Sequence, residues 1–269
     1  MSREQPVLIG IAGGSGSGKT YLARRIQREV GPQHVSVLSM DQYFRSLGPE
    51  ERRLDRRDIN FDHPSHIDCE LLQRHIEQLR AGQPVLAPSY DFRNQIQTPE
   101  AIRVEPARVI VVEGLFVLRP PLVELFDLTV FLDVDADQRL IGRLLRDLEE
   151  RDSDVRWNID RYQRFVRPGF EMFVQPTMLN ADVVVDFTYR RIFFQELMVD
   201  LVRDYVSHGY DIRGLIRSVR NDRYQLGVQP RRGPVEPPTS EPSPAAAPTL
   251  FVGDNPQGKA GVDPTCGES

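Results

Sequence analysis

The stretch Gly13-Gly14-Ser15-Gly16-Ser17-Gly18-Lys19-Thr20 decides the fold of this 269-residue chain. It matches G-x-x-x-x-G-K-[ST], a pattern in which glycines let successive backbone N–H groups turn inward around phosphate oxygens. A continuous apolar run over 7–12 precedes the motif and predicts a buried strand, and a helical pattern over about 19–30 follows it. A chance glycine-rich turn would lack this context, so the sequence predicts a phosphate-binding loop at the start of a helix.

The loop predicts a nucleoside triphosphate cofactor, ATP or GTP, bound together with Mg²⁺. Lys19 would contact the β- and γ-phosphates, and the Thr20 hydroxyl would be a Mg²⁺ ligand. Lysine is rare in this chain, because only Lys19 and Lys259 among its 34 basic residues are lysines. A compact ammonium on a flexible stem fits between two phosphates better than the planar fork of arginine. The candidate cofactor-binding residues of the loop are Gly13, Gly14, Ser15, Gly16, Ser17, Gly18, Lys19 and Thr20.

Apolar runs alternate with helical patterns along residues 1–228, which we interpret as one domain. Apolar strands without polar alternation are typical of a parallel sheet that is covered on both faces. The predicted fold is therefore α/β, a P-loop NTPase-type parallel sheet with helices on both faces. Beyond the elements around the loop, the predicted strands are 35–39, 109–112, 129–132 and 183–185, and the predicted helices are 65–81, 137–151 and 193–206.

Three segments are expected to lie outside this layered core. Proline, aromatic residues and threonine over 84–104 predict a β-hairpin excursion, and dense charges over 45–58 predict a mobile or peripheral loop. The segment 229–269 has nine prolines and few large apolar residues, so it cannot bury enough surface to offset its ordering entropy. We therefore predict that 229–269 is a disordered Pro-rich tail.

The overall composition argues against several classes of protein. A net charge of −5 argues against a dedicated nucleic-acid or anionic-membrane binder. No apolar run approaches the roughly 20 residues needed to cross a bilayer, and the first residues lack the apolar core of a secretory signal. Two cysteines provide no disulfide framework. We therefore expect a cytoplasmic protein with no nucleic-acid or membrane partner.

Two carboxylates follow predicted parallel strands, at the positions where ligands bind in open α/β sheets. Asp41 lies after strand 35–39, and Glu113 ends strand 109–112. Asp41 is the candidate base that accepts a hydroxyl proton, although an aspartate after a strand is also a common helix N-cap. Glu113 is the candidate carboxylate that completes a Mg²⁺ shell with Thr20. The chain lacks the N-K-x-D string of a GTPase, so we expect a small-molecule kinase.

Two further segments combine an aromatic face with a carboxylate. The segment NFDHP (60–64) could stack a ring on Phe61 and accept hydrogen bonds from vicinal sugar hydroxyls at Asp62. The alternative is an Asx-type helix start that leads into Ser65. The segment YDF (90–92) repeats the same chemistry in the predicted hairpin.

Eight segments, in this order and spacing, resemble the uridine kinase (uridine-cytidine kinase) family. The resemblance covers residues 7–186, about two thirds of the chain. It implies a P-loop kinase fold, transfer of an ATP or GTP γ-phosphate to the 5′-hydroxyl of a nucleoside with uridine or cytidine as first candidates, and a homotetramer. The segments are GIAGGSGSGKT (10–20), MDQYF (40–44), NFDHP (60–64), YDF (90–92), VEGLF (112–116), FLDVDADQRL (131–140), RDLEER (146–151) and RPGFEMFVQPT (167–177).

The resemblance also implies roles for individual residues. Lys19 and Asp41 would be catalytic. Arg143 and Arg146 would belong to a lid helix, one turn apart, and would stabilise charge on the transferred phosphoryl group. The other implied contacts are Arg151 with the nucleotide, Thr20 and Glu113 with Mg²⁺, and Phe61, Asp62, Tyr90, Phe92, Gln95, Arg143 and Arg161 with the nucleoside.

Several residues depart from the family pattern, mainly on the nucleoside side. Gln95 stands where the family has a histidine at the pyrimidine edge, Arg161 stands where glutamine is expected, and Ser153 replaces one lid arginine. These departures leave alternatives open. The acceptor could be a different nucleoside, or a sugar or sugar phosphate as in the related phosphoribulokinases. A nucleotide-binding regulatory protein with weak catalysis is the third alternative.

Overall fold

The computed structural model describes residues 5–55, 58–92, 94–150 and 154–225. Five of the strands pair in parallel, and they form one sheet in which the first strand is central. The strands are β1 (Val7–Gly13), β2 (Val35–Ser39), β3 (Val85–Asp91), β4 (Ile96–Val104), β5 (Val109–Glu113), β6 (Leu128–Asp133) and β7 (Val183–Asp186), and the order in the parallel sheet is β2-β5-β1-β6-β7.

Helices cover both faces of this sheet. One face carries a core cluster that includes Leu72 and Ile76 of the second helix, and the other carries a cluster with Leu22 and Ile26 of the first. The predicted α/β fold with helices on both faces is therefore confirmed. The helices are α1 (Lys19–Val30), α2 (Cys69–Arg80), α3 (Ala136–Glu150), α4 (Val155–Arg161), the single turn α5 (Arg167–Gly169), α6 (Phe187–His208) and α7 (Ile212–Gln225).

Strand β1 shows why the sheet needs a cover on each side. Leu8 and Ala12 belong to the cluster beneath α2, whereas Val7, Ile9 and Ile11 belong to the cluster beneath α1 and α6. Successive side chains of a strand point to opposite faces, so the unbroken apolar run is buried on both. Each large apolar side chain buried in this way contributes about 1.5–3 kcal/mol to folding.

The predicted β-hairpin excursion is confirmed. Among the described residues, strands β3 and β4 pair with each other and with no strand of the parallel sheet, and together they form an antiparallel sheet. The Gln97 side chain anchors the hairpin, because its Nε2 donates to the carbonyl oxygen of Phe44 at 3.1 Å. Its backbone N–H also donates to Ser46 Oγ at 3.1 Å. The hairpin therefore lies beside the chain that leaves β2.

Several element boundaries differ from the prediction. Helix α2 begins at Cys69 rather than at residue 65, because Asp68 Oδ1 caps it by accepting from the Leu71 N–H at 3.0 Å. Helix α6 begins at Phe187 rather than at 193, and it is kinked at Arg190, whose backbone is not helical.

The helical segment 155–180 and helix α7 have no counterpart among the predicted elements. Within 155–180, α4 and α5 alternate with π-helical turns at Tyr162–Val166 and Phe170–Val174 and end in a 3-10 helix at Gln175–Asn180. A π-turn changes the residue spacing, so this segment shows no steady 3.6-residue apolar period.

The charged loop after β2 is peripheral, as expected, and contains a short 3-10 helix at Glu51–Arg53. Leu47 anchors it, since its side chain is buried. Residues 226–269, and with them the predicted tail and the domain boundary near 228, lie outside the described residues. In the described ranges no helix combines the length and the apolar character needed to cross a membrane.

Candidate active site

The glycine-rich loop connects β1 to α1, as the motif predicts. Gly16 and Gly18 have φ angles of 81° and 86°, a left-handed conformation that side-chain-bearing residues rarely adopt. Gly18 is the N-cap residue of α1, so the free N–H groups at the start of the helix belong to this loop. The loop therefore presents backbone donors and the positive end of the helix dipole at one place.

Lys19 lies inside this loop. Its side chain is buried, and Nζ donates a hydrogen bond to the carbonyl oxygen of Gly14 at 2.9 Å. Burial lowers the pKa of the Lys19 ammonium, and the negative charges of Glu113 and Asp41 oppose this effect. The ammonium therefore contacts the loop backbone and feels the negative charge of two carboxylates.

The order of the sheet brings these carboxylates to the loop. Strands β2 and β5 neighbour each other, and β5 neighbours β1, so their carboxyl ends meet at one edge. Glu113 is fully buried, and its Oε1 accepts from Thr20 Oγ1 at 3.0 Å and from Ser39 Oγ at 2.6 Å. The pKa of the Glu113 carboxyl is raised, because burial and the charge of Asp41 outweigh the opposing effects of Lys19 and the two hydrogen bonds.

The sequence analysis did not predict that Ser39 contacts Glu113. Ser39 ends β2 two residues before Asp41, at the strand end where ligands gather, and that position was the available signal.

Asp41 is not the N-cap of the short 3-10 helix Met40–Tyr43, so the N-cap alternative is wrong. Ser39 occupies that position, and its backbone N–H donates to Gln42 Oε1 at 3.4 Å. The half-buried Asp41 carboxylate instead acts electrostatically on Lys19 and Glu113.

Helix α3 lies directly on the loop. Arg143 Nη1 donates to Ser15 Oγ at 2.9 Å, and a Cβ added to Gly142 would come within 2.9 Å of the Gly16 carbonyl oxygen. Arg143 and Arg146 both reach Asp147, at N–O distances of 3.4 Å and 2.8 Å. The structure thus brings both predicted lid arginines to one face of α3, whereas Arg151 lies outside the described residues.

Arg139 is a second residue that the sequence analysis missed. It precedes Arg143 by one helical turn, its side chain is buried, and its guanidinium lies 3.7 Å from the ring centroid of Phe170. A Cβ on Gly14 would come within 2.6 Å of Arg139 Nη1, so a larger residue there would displace this guanidinium from its place beside the loop. Its four-residue spacing from Arg143 was the signal available in the sequence.

The predicted acceptor carboxylate Asp62 lies close to the phosphate-binding loop. The buried Asp62 and Ser15 line the same narrow gap, together with Phe170, and this gap leaves no room for a water molecule. The Asp62 backbone N–H donates to Asn60 Oδ1 at 3.1 Å, so an Asx turn is present. It does not start the helix as the alternative required, because the 3-10 helix Pro64–His66 is capped by His63. The turn therefore fixes the backbone of Asp62.

The aromatic residues divide into two groups. Phe44, Tyr90 and Phe92 form one cluster, with ring centroids 5.0–5.7 Å apart. Phe61 instead packs against His66 at 5.4 Å and against the guanidinium of Arg161 at 5.3 Å. Phe61, Tyr90 and Phe92, all implied by the resemblance to contact the nucleoside, thus have ring neighbours in two different places, on the 60–64 segment and on the hairpin.

Gln95 has an unusual position in the hairpin turn. Its φ angle is 57°, in the left-handed region, and its side chain is buried. Within the described residues, Gln95 Oε1 has no hydrogen-bond partner. A buried acceptor without a donor is costly, and strained residues of this kind concentrate at binding sites.

Comparison with known proteins identifies the family. A sequence model described as "Phosphoribulokinase / Uridine kinase family" matches residues 8–191. The uridine kinase of Oceanobacillus iheyensis is 40% identical over 188 residues, which cover 69% of this chain and 88% of that protein. The uridine kinase of Deinococcus deserti is 44% identical over 184 residues, 67% of this chain and 87% of that protein.

A solved structure supports the fold. The phosphoribulokinase from Rhodobacter spheroides superposes with a TM-score of 0.51 at 16% identity, over 68% of this chain and 70% of that one. The resemblance inferred from the eight segments is confirmed by the family match and by both relatives. This chain belongs to the phosphoribulokinase/uridine kinase family.

Proposed function

We propose that this chain is a nucleoside kinase that transfers the γ-phosphate of ATP, or of GTP, to the 5′-hydroxyl of uridine or cytidine. One observation carries the proposal: the acceptor residue Asp62 and Ser15 of the phosphate-binding loop line the same narrow gap, so the two parts of the site are neighbours. A hydroxyl held at Asp62 would thus lie beside the phosphates. The relatives named uridine kinase supply the acceptor class.

In this proposal the residues on the phosphate side both bind the nucleotide and stabilise the transferred phosphoryl group. The loop N–H groups and Lys19 hold the β- and γ-phosphates, while Arg143 and Arg146 stabilise charge on the transferred group. Arg151 is proposed to join them at the nucleotide. Transfer passes through a loose transition state, so positioned positive charge is the main catalytic contribution of these residues.

Thr20 and Glu113 are the residues that would hold Mg²⁺. Both offer oxygen ligands, and they lie within one hydrogen bond of each other, at 3.0 Å. In the described part of the chain no group of three or more His, Cys, Asp or Glu residues forms a metal site. Magnesium bound with a nucleotide needs only one or two protein oxygens, because phosphates and waters complete its shell. The bound ion would neutralise phosphate charge.

On the acceptor side, Asp41 takes the proton of the attacking hydroxyl. Asp62 accepts hydrogen bonds from the ribose hydroxyls, and Tyr90 and Phe92 provide a ring surface for the base. Gln95 offers both an amide donor and an acceptor at the base edge. Such a group can hydrogen-bond a pyrimidine without imposing the preference for uracil or cytosine that a histidine imposes.

A panel of acceptors tests the proposal. ATP consumption would be measured with uridine, cytidine, other nucleosides, sugars and sugar phosphates, at equal concentrations. Turnover highest with a nucleoside supports the proposal, and turnover highest with a sugar phosphate contradicts it. If no acceptor in the panel raised ATP consumption above background, the result would favour a regulatory protein. The close grouping of Lys19, Thr20 and Glu113 weakens that alternative.

Replacing Gln95 by histidine is expected to raise kcat/KM for uridine or cytidine by about three- to tenfold. One added hydrogen bond to the pyrimidine edge contributes about 0.5–1.5 kcal/mol. Steady-state kinetics with both nucleosides would measure the change. Gln83→His, in the exposed turn before β3, is the matched control. An unchanged kcat/KM and KM in Gln95→His would place Gln95 outside the base pocket.

A sugar phosphate acceptor needs extra basic groups, which Arg161 or the arginines of segment 52–57 could supply. Arg161 is buried, donates to the Ile59 carbonyl oxygen at 3.1 Å and faces the rings of Trp157 and Phe61, so protein groups already surround its guanidinium. This geometry does not favour an anionic acceptor. The predicted homotetramer, the cytoplasmic location and the boundary of the 1–228 domain stay predictions.

A further inference from the structure

Arg139 is a buried cation in the first turn of α3, where this helix lies on the phosphate-binding loop. The residue is only 5% exposed. A Cβ on Gly14 would come within 2.6 Å of Arg139 Nη1, and a Cβ on Gly16 would overlap the Arg139 carbonyl oxygen. Both the guanidinium and the backbone of Arg139 therefore border the glycines of the loop.

Two contacts fix the orientation of the Arg139 guanidinium. Its Nε donates to the carbonyl oxygen of Val134 at 3.0 Å. Its central carbon lies 3.7 Å from the ring centroid of Phe170, so the aromatic ring supports one face of the group. Because one edge and one face are held in this way, the remaining N–H groups have a fixed place beside Gly14.

The side of the guanidinium next to the loop has no acceptor from the protein. Nη1 is buried, and in the described part of the chain it has no hydrogen-bond partner. Buried polar atoms are nearly always paired, so an unpaired charged donor indicates a place for a ligand atom. Ser17 Oγ, in the same loop, is also buried and has no partner among the described residues. An anion with several acceptor oxygens would satisfy donors of this kind.

Protein groups compensate the charge of Arg139 only in part. Burial lowers the pKa of its guanidinium, although the carboxylates of Asp133 and Glu171 oppose this effect through space. The groups that contact the guanidinium directly are a neutral carbonyl and an aromatic ring. A buried cation without a paired anion destabilises a fold, and an anion that binds beside it removes this cost.

We propose that Arg139 is a further ligand of the phosphates of the donor nucleotide, to which its buried Nη1 donates a hydrogen bond. This inference rests on the proposed kinase function, which assigns other cations to the phosphates and no role to Arg139. Arg143, one turn further along α3, donates to Ser15 Oγ at 2.9 Å, so both arginines meet the loop from the same face of the helix. Phosphate oxygens are strong acceptors for guanidinium N–H groups.

Nucleotide affinity and the stability of the nucleotide-free protein test the proposal together. Isothermal titration calorimetry would give the Kd of a non-hydrolysable ATP analogue with Mg²⁺, and thermal unfolding would give the Tm without nucleotide. Arg139→Met keeps an apolar contact with Phe170 and is expected to weaken analogue binding by about tenfold or more, the effect of losing one hydrogen bond to a charged group. Its Tm is expected to equal or exceed that of the wild type, because a buried unpaired charge is removed.

Three further variants complete the experiment. Arg139→Gln also removes the charge but keeps an amide donor for the Val134 carbonyl oxygen, so it decides the matter if Arg139→Met does not fold. Arg139→Lys keeps the charge and is expected to bind the analogue more tightly than either neutral variant. Arg28→Met replaces an exposed arginine in the last turn of α1 and is the matched control, with wild-type affinity expected.

The outcomes separate this inference from the proposed function. Absence of analogue binding by the wild type contradicts the kinase function. Wild-type affinity in a folded neutral variant at position 139 contradicts only the role of Arg139. A loss of affinity together with a lower Tm in both neutral variants would show that Arg139 supports the loop by packing, and would overturn the inference. The same conclusion would follow if Arg139→Lys bound the analogue no more tightly than the neutral variants.

Discussion

Replacing Asp41 by asparagine is expected to lower kcat by about 10²–10⁴-fold, the usual contribution of a general base. Asparagine has nearly the same shape but cannot take the hydroxyl proton. The substitution should leave nucleotide binding nearly intact, because the loop backbone and Lys19 hold the phosphates. Single-turnover kinetics would measure the chemical step, and a fluorescent ATP analogue would measure nucleotide affinity.

The matched control for Asp41→Asn is Asp200→Asn, since Asp200 is an exposed aspartate on α6, remote from the sheet edge. Its kcat is expected to equal that of the wild type. Wild-type turnover in Asp41→Asn would remove Asp41 as the base. A large loss of nucleotide affinity would instead assign it to the phosphate side, through its electrostatic effect on Lys19 and Glu113.

Replacing Lys19 by arginine is expected to lower kcat/KM by at least about 100-fold, the scale of a lost electrostatic contact with the transition state. The side chain is buried against the Gly14 carbonyl oxygen, and a planar guanidinium is larger than the ammonium it replaces. Because Lys19→Arg conserves the charge, a loss of kcat/KM would result from the different shape and size of the side chain. Steady-state kinetics with ATP and uridine would test this.

Lys259→Arg makes the same exchange at the other lysine of the chain and is the matched control. It is expected to leave kcat/KM unchanged. A melting temperature close to that of the wild type would show that Lys19→Arg is folded. Normal turnover in a folded Lys19→Arg variant would contradict the phosphate-loop assignment of the motif.

Most of the secondary structure around the sheet could be predicted because its signals are local. The strands 35–39 and 109–112 match β2 and β5 closely, since apolar runs report burial on both faces. The segment 155–180 could not be predicted in this way. Its π-turns break the helical period, so the burial of Arg161 and Phe170 follows no pattern that a helical wheel would show.

The candidate site was predicted unevenly for a related reason. Asp41 and Glu113 could be named as candidates because the carboxyl ends of the strands form the edge of a parallel sheet where ligands bind. Ser39 and Arg139 were missed because serine and arginine are common in every context, and only a contact distinguishes them.

The sequence by itself determined the phosphate-binding loop, the parallel sheet and the family. These depend on residues close together in the chain, whose spacing limits the backbone to few conformations. Only the tertiary structure decided that Asp62 and Ser15 line one narrow gap and that Arg161 contacts Ile59 and Phe61. Arg161 and Ile59, which share a hydrogen bond, are 102 residues apart. Such contacts arise from the packing of whole elements, and a buried charge is stable only when packing supplies its counter-charges.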